Sequence, residues 1–281
     1  MNIEKLLCCP VCRSPLTEAL RCETCGVQYE HRHGVYRVIS PVLSEDAVIY
    51  WKIKEEMLED PEAFLKQEEQ EEAWTKDYFA RKNKETIVAE KKLNEYTDSL
   101  LKTISGTVCD LATGMGGMLR KLLDAGSETR IVCTDIDPNI LAWTRVVQKT
   151  DDARVAYVAT DGRFLSFRDE SFDYVTSLAG FGNIPESDKV AKEIYRVLKK
   201  SGKMIIQGQY IEPGSKSYEI AKTLHLEQGL VEESLIACLR AAGFTHVDSI
   251  VVDEAVWAEN PYDLIPATGD TQRFCCIIAE K

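Results

Sequence analysis

Two pairs of cysteines near the start of the chain have the spacing of metal-binding knuckles. Cys9-Pro-Val-Cys12 and Cys22-Glu-Thr-Cys25 are C-x-x-C motifs separated by nine residues. Each pair can place two thiolates about 2.3 Å from one zinc ion, and four thiolates close a tetrahedral site with no open position. A zinc ion held by Cys9, Cys12, Cys22 and Cys25 is therefore expected to be structural. The segment needs such a staple, because ordering a residue costs on the order of 1.5 kcal/mol before burial offsets it. Structural zinc contributes roughly 10 to 16 kcal/mol. Cys8 could replace Cys9 in a C-x-x-x-C knuckle, and His31 and His33 are weaker ligand candidates. Cys109 and Cys133 lie in strand-like apolar runs and read as small buried hydrophobes.

A second chemical constellation begins at Thr107-Val-Cys-Asp-Leu-Ala-Thr-Gly-Met-Gly-Gly117, a strand that ends in an acid and turns into a helix. Gly114 and Gly116 let the backbone turn sharply and approach a ligand. A dinucleotide site is the rival reading of such a turn. Asp110 separates the two, since a carboxylate at the mouth of the first strand suits the sulfonium and amino group of S-adenosylmethionine and would repel a pyrophosphate. The next strand, Ile-Val-Cys-Thr-Asp, ends at Asp135, at the distance where an acid binds a ribose diol. Asp137 precedes Pro138, the signature of a helix N-cap, so its expected role is structural. Ile136, between the two acids, is placed to pack on adenine.

After the third strand come Asp161 and Gly162, which on residue types alone also read as a turn. The ordered series DLATGMG, Asp135, Asp161-Gly162, FDYV, GFGN and YRVLKKSG resembles the class I S-adenosylmethionine-dependent methyltransferases, and within them the ubiquinone and menaquinone C-methyltransferases. That resemblance spans roughly residues 105 to 211, with Ala112 where the family's first glycine often sits. It implies cofactor contacts at Asp110, Ala112, Gly114, Gly116, Asp135, Ile136, Asp161, Gly162 and Leu178, with Asp161 accepting from the adenine amino group. The acceptor pocket then falls beside Gly180, Phe181, Gly182 and Asn183, with Phe181 and Asn183 as substrate contacts. Trp74, Tyr78 and Phe79 are candidates for its roof, Tyr78 foremost. No pattern designates a catalytic base, and in-line methyl transfer does not always need one. The N-terminal segment resembles the zinc ribbons of methyltransferase activators and of rRNA guanine methyltransferases.

The elements that must position these residues follow from apolar periodicity. From residue 106 strands alternate with amphipathic helices, which predicts an α/β, Rossmann-like, mostly parallel sheet covered on both faces. THVDSIVVD and RFCCIIAE predict a closing antiparallel pair. The expected organisation is a zinc ribbon over 1–40, a helical connector or cap over 41–104 and a methyltransferase domain over 105–281. Ile49, Ile53 and Met57, and Leu93, Tyr96, Leu100 and Ile104, carry the helical spacing in the connector.

The chain has 281 residues, is 44% hydrophobic and carries a net charge of −12. No apolar run is long enough to span a bilayer and no signal peptide is recognised, so a cytoplasmic location without membrane insertion is expected. Residues 44–72 hold eleven acids and three bases, a net −8, which leaves −4 for the remainder. The charge favours a small-molecule acceptor over RNA, since phosphate tracking relies on Lys and Arg. The ribbon and the basic stretch from Lys76 to Lys92 support the alternative, an rRNA or tRNA methyltransferase.

Overall fold

The computed structural model describes residues 2–46, 53–61, 76–126, 129–150 and 152–281. Its strands are β1 (Glu30–Arg32), β2 (Val35–Arg37), β3 (Thr107–Asp110), β4 (Arg130–Asp135), β5 (Val155–Ala159), β6 (Phe172–Leu178), β7 (Leu198–Ile211), β8 (His246–Val256) and β9 (Thr271–Glu280). Its helices are α1 (Glu55–Glu59), α2 (Lys84–Leu101), α3 (Gly117–Ala125), α4 (Pro138–Val147), α5 (Ser187–Val197), α6 (Lys216–Thr223), α7 (Glu227–Leu230) and α8 (Glu232–Ala242). Ile49 and Trp74 lie outside the described residues.

All nine strands form one sheet in the order β1-β2-β5-β4-β3-β6-β7-β9-β8. Strands β3 to β7 run parallel, and β9 is antiparallel to both β7 and β8, as the closing pair was expected to be. Residues such as Val108, Cys109, Val132, Cys133 and Val175 are fully buried, which a sheet sandwiched between helices requires. One face packs beneath α5 and α8 through Val190, Ile194, Leu235 and Leu239. The other packs beneath α2, α3 and α4 through Leu93, Leu119, Leu122 and Trp143.

Helix α2 shows why local sequence yields this arrangement. Asn83 caps it by accepting from Thr86 N at 2.8 Å, and Thr86, Ala89, Leu93, Thr97 and Leu101 form its buried stripe at helical spacing. That stripe lies against β8 and β9. The helix therefore covers the sheet rather than roofing the cavity described below, to which the connector contributes Tyr78 instead.

The N-terminal segment is joined to the sheet by backbone. Strand β2 pairs in parallel with β5, Val38 N donates to Ala159 O and Cys8 N donates to Ser166 O. Leu7, Cys9, Tyr29 and Val38 share one apolar layer with Phe167 and Phe172. The sheet thus runs across residue 40.

Candidate active site and thiolate cluster

The two C-x-x-C turns converge. The Sγ atoms of Cys9, Cys12, Cys22 and Cys25 all lie within 4.8 Å of one another. A tetrahedron with bonds of about 2.3 Å has edges of about 3.8 Å, so the set fits zinc. Cys25 N donates to Cys22 Sγ at 3.3 Å and the Tyr29 hydroxyl lies 3.4 Å from Cys9 Sγ, contacts that orient and polarise the sulfurs. Cys8 is outside the cluster, His31 stacks on Tyr36 and His33 pairs with Glu55. The first segment is thus compatible with a four-cysteine zinc ribbon.

At the carboxyl ends of β3, β4 and β5, a cavity of about 770 Å³ opens. Its strand-end wall contains Asp110, Ala112, Gly114, Asp135, Ile136, Asp161, Gly162 and Leu178. Asp110 is fully buried; it accepts from the Thr113 hydroxyl at 2.9 Å, and burial pushes its carboxyl up to about 7. Asp135 accepts from Gly114 N at 3.0 Å and from Asp137 N at 3.1 Å, and burial holds it at about 6. Those two amides fix the carboxylate while it staples the glycine turn to the second strand. Asp137 accepts from Asn139 N at 2.8 Å as the N-cap of α4, although it also borders the cavity.

Gly116 does not line the cavity. It sits at φ 81° before α3, and a Cβ there would come 2.9 Å from Thr144 Cγ2, so its role is to let the turn pack against α4. Gly162 is tight in another direction, since a Cβ would meet Ile184 Cδ1 at 2.9 Å. Phe181 departs from its expected position as a substrate contact: its ring is buried in the core with Val190 and Ile194. Asn183 does border the cavity, its amide donating to Ala179 O at 3.2 Å. Phe79 is 56% exposed and is not part of the lining.

Sequence reasoning missed Arg163. This side chain is buried and forms a bidentate pair with Asp161, at 3.1 Å from Nε to Oδ1 and 2.9 Å from Nη2 to Oδ2. It also binds Asp46 through two hydrogen bonds of 2.9 and 2.7 Å and Glu186 at 3.0 Å. A buried guanidinium needs such saturation, and the planar fork supplies it. The arginine locks Asp161 at the cavity edge and pulls Asp46 below the ordinary carboxylate range. The signal in the sequence was only the arginine two residues after Asp161.

The facing wall is built differently. Leu224 and Leu226 come from the junction between α6 and α7 and Leu230 from the end of α7, while Tyr262, Asp263, Leu264 and Ile265 come from the loop between β8 and β9. Tyr78 completes it. Asp263 accepts from Trp257 Nε1 at 3.2 Å and from the Tyr78 hydroxyl, and burial raises its carboxyl above the usual range. Leu224, Tyr262 and Leu264 remain 41%, 42% and 63% exposed at the mouth, unusual for residues of their size.

A doubly wound sheet with an antiparallel closing pair, strand-end acids and a glycine turn above the central strands defines a Rossmann-like methyltransferase fold. In agreement, residues 109–206 match the family model of a methyltransferase domain. Over 119 residues the chain is 34% identical to the ubiquinone/menaquinone biosynthesis C-methyltransferase UbiE of Escherichia coli O1:K1, a match covering 40% of this chain and 47% of that protein. The chain thus spans about half the length of the curated relatives it matches. Phosphoethanolamine N-methyltransferase 2 of Haemonchus contortus, in complex with S-adenosyl-L-methionine, superposes with a TM-score of 0.52 at 21% identity, over 66% of this chain and 52% of that one. The YcgJ protein of Bacillus subtilis superposes with a TM-score of 0.50 at 13% identity, over 68% of this chain and 98% of that one. The structural likenesses concern the fold.

Proposed function

We propose that the protein is an S-adenosylmethionine-dependent methyltransferase acting on a small-molecule acceptor, organised as a ribbon over 1–40, a connector over 41–104 and a catalytic domain over 105–281. The observation that carries this is the pairing of two unlike walls around one cavity, strand-end acids facing an apolar surface. Volumes of roughly 300 to 1,000 Å³ are typical of small-ligand sites.

In this reading Asp110 faces the cationic end of the cofactor, Asp135 accepts from both ribose hydroxyls, Ile136 and Leu178 flank adenine and Asp161 accepts from its amino group. Ala112, Gly114 and Gly162 supply close backbone approach. When bound, S-adenosylmethionine supplies an electrophilic methyl on a sulfonium. The chain contributes alignment of the nucleophile and exclusion of water, which for well-oriented reactants is worth effective molarities of about 10⁵ to 10⁸ M. Zinc at the four-cysteine cluster is structural, because all four positions are taken.

Four of the six cations between Lys76 and Lys92 have acidic partners. Arg81 pairs with Asp77, Lys82 with Glu90, Lys91 with Glu95 and Lys92 with Asp253. The test is methyl transfer from labelled cofactor into a small-molecule extract and into total RNA, alongside RNA titration at two salt concentrations. Label in the small-molecule fraction with weak RNA binding is expected. Label in RNA, with affinity falling about 0.7 log units per log salt for each phosphate contact, would overturn the acceptor class.

A further inference from the structure

The cavity's two walls carry different charge and different apolar content. Among the described residues its lining holds two cations, Arg120 and Arg163, and Arg163 is saturated by Asp46, Asp161 and Glu186. Four of its five acids, Asp110, Asp135, Asp137 and Asp161, stand on the strand-end wall. The fifth, Asp263, stands on the facing wall among Leu224, Leu230, Leu264 and Ile265. A carboxyl set in an apolar surface at a cavity edge accepts from partners that bring a proton, and the carboxylate itself repels anions, with the Lys82 ammonium acting on it from outside the lining.

We infer that Asp263 is the residue that selects the methyl acceptor, by accepting a hydrogen bond from an amine or hydroxyl head while the leucines hold the acceptor's apolar body. The acceptor class is then a small apolar molecule with one hydrogen-bond-donating head, and carboxylate- or phosphate-bearing molecules are rejected. This rests on the methyltransferase reading, which places the cofactor on the other wall.

Two intramolecular donors orient the carboxyl, Trp257 Nε1 from outside the cavity lining and the Tyr78 hydroxyl from a residue of the same wall. Tyr78 is in turn tied to the rim by its ring contact with Tyr262, whose hydroxyl donates to Asp77 at 2.8 Å. The arrangement fixes the direction in which the remaining lone pairs point. A merely structural Asp263 would hold the same two donors with no preference among ligands, and that difference is measurable.

The experiment uses the full chain saturated with S-adenosylhomocysteine, so that the strand-end acids are occupied, and titrates benzylamine, benzyl alcohol, toluene and benzoate by calorimetry. Benzylamine should bind about tenfold more tightly than toluene, as a hydrogen bond to a charged group implies, with benzyl alcohol between them and benzoate weakest. In Asp263→Asn that preference should fall to within about twofold. Tyr78→Phe removes a competing donor and should preserve or raise it, which keeps the test open if the asparagine variant does not fold. Equal binding of benzylamine and toluene by the wild type overturns the inference. So does failure of all four probes, a preference unchanged in Asp263→Asn, or a preference lost in Tyr78→Phe. Failure of the wild type to bind S-adenosylhomocysteine would instead overturn the cofactor reading.

Discussion

The strand-end wall and the facing wall of the cavity are held in place by different means. The acids of the first are fixed close to strand termini by groups near them in the fold: Asp135 by Gly114 N and Asp137 N, Asp110 by Thr113, and Asp161 by the Arg163 guanidinium. The second is assembled from three stretches far apart in the chain, Tyr78, the α6–α7 region and the loop before β9, and its large apolar side chains stay partly exposed. Cofactor and acceptor are thereby specified in different parts of the molecule. A shared cofactor is read by geometry that the sheet imposes, whereas an acceptor is read by segments that can vary without disturbing the sheet.

The largest expected effect on the strand-end wall comes from outside both walls. The ribbon buttresses the strand-end wall through β2 on β5, and the connector does so through Asp46 on Arg163. If the four cysteines hold zinc as proposed above, removing it, or Cys22→Ser, should cost more than about 4 kcal/mol of stability and should weaken cofactor binding before it alters the facing wall. Chemical denaturation and calorimetry with and without chelator check this; unchanged cofactor affinity in metal-free, folded protein would detach the ribbon from the site.

Next in size, Asp135→Ala should weaken S-adenosylmethionine binding at least tenfold, since charge-assisted hydrogen bonds contribute about 1.5 to 3 kcal/mol. Calorimetric titration gives the number, and an affinity within twofold of wild type would remove Asp135 from the cofactor's binding set.

A comparable change should follow pH. Burial raises Asp110 to about 7 and Asp135 to about 6, above the ordinary carboxylate value. For a carboxyl whose folded-state pKa is raised, the stability contribution is fully present below the unfolded pKa and is lost as pH rises through about 6 to 7. A bound cation favours the ionised forms, so affinity should rise about tenfold between pH 6 and pH 8 and binding should release protons. Titration in buffers of different ionisation enthalpy counts those protons. Uptake instead of release would show that the cofactor meets neutral carboxyls.

The smallest expected change lies within the strand-end wall. Asp137 caps α4 through Asn139 N, so Asp137→Ala should lower stability by about 1 kcal/mol while cofactor affinity changes less than threefold. Denaturant midpoints and calorimetry on the same protein distinguish this from Asp135→Ala, and the reverse pattern would exchange the roles of the two acids.

What the sequence disclosed was local. Two C-x-x-C pairs, a strand-acid-glycine turn and an Asp-Pro cap are each written within a dozen residues, and the alternation of apolar runs defined the order of strands. What it concealed was made by distance. Arg163 has two of its three partners at Asp46 and Glu186, and no spacing rule connects them. Phe181 lies in a motif associated with acceptors, yet the short turn over Phe181–Asn183 directs its ring into the core. The facing wall had no motif, because leucines in an amphipathic helix read alike whether they meet a ligand or a neighbour. Strands β1 and β2 were too short and too polar for a periodic signal, so their place in the sheet was invisible from pattern alone.

That placement has a consequence for how the protein survives. Without the hairpin, β5 would be the outer strand, and Val-Ala-Tyr-Val-Ala is a β-prone, uncharged sequence with backbone groups free to pair with another molecule. The hairpin covers that strand and presents Glu30, His31 and Arg32 outward instead, all exposed and polar. In the zinc-bound state proposed above, the cysteine cluster would guard against self-association: a chain stripped of that metal would uncover a sticky margin and be lost to aggregates.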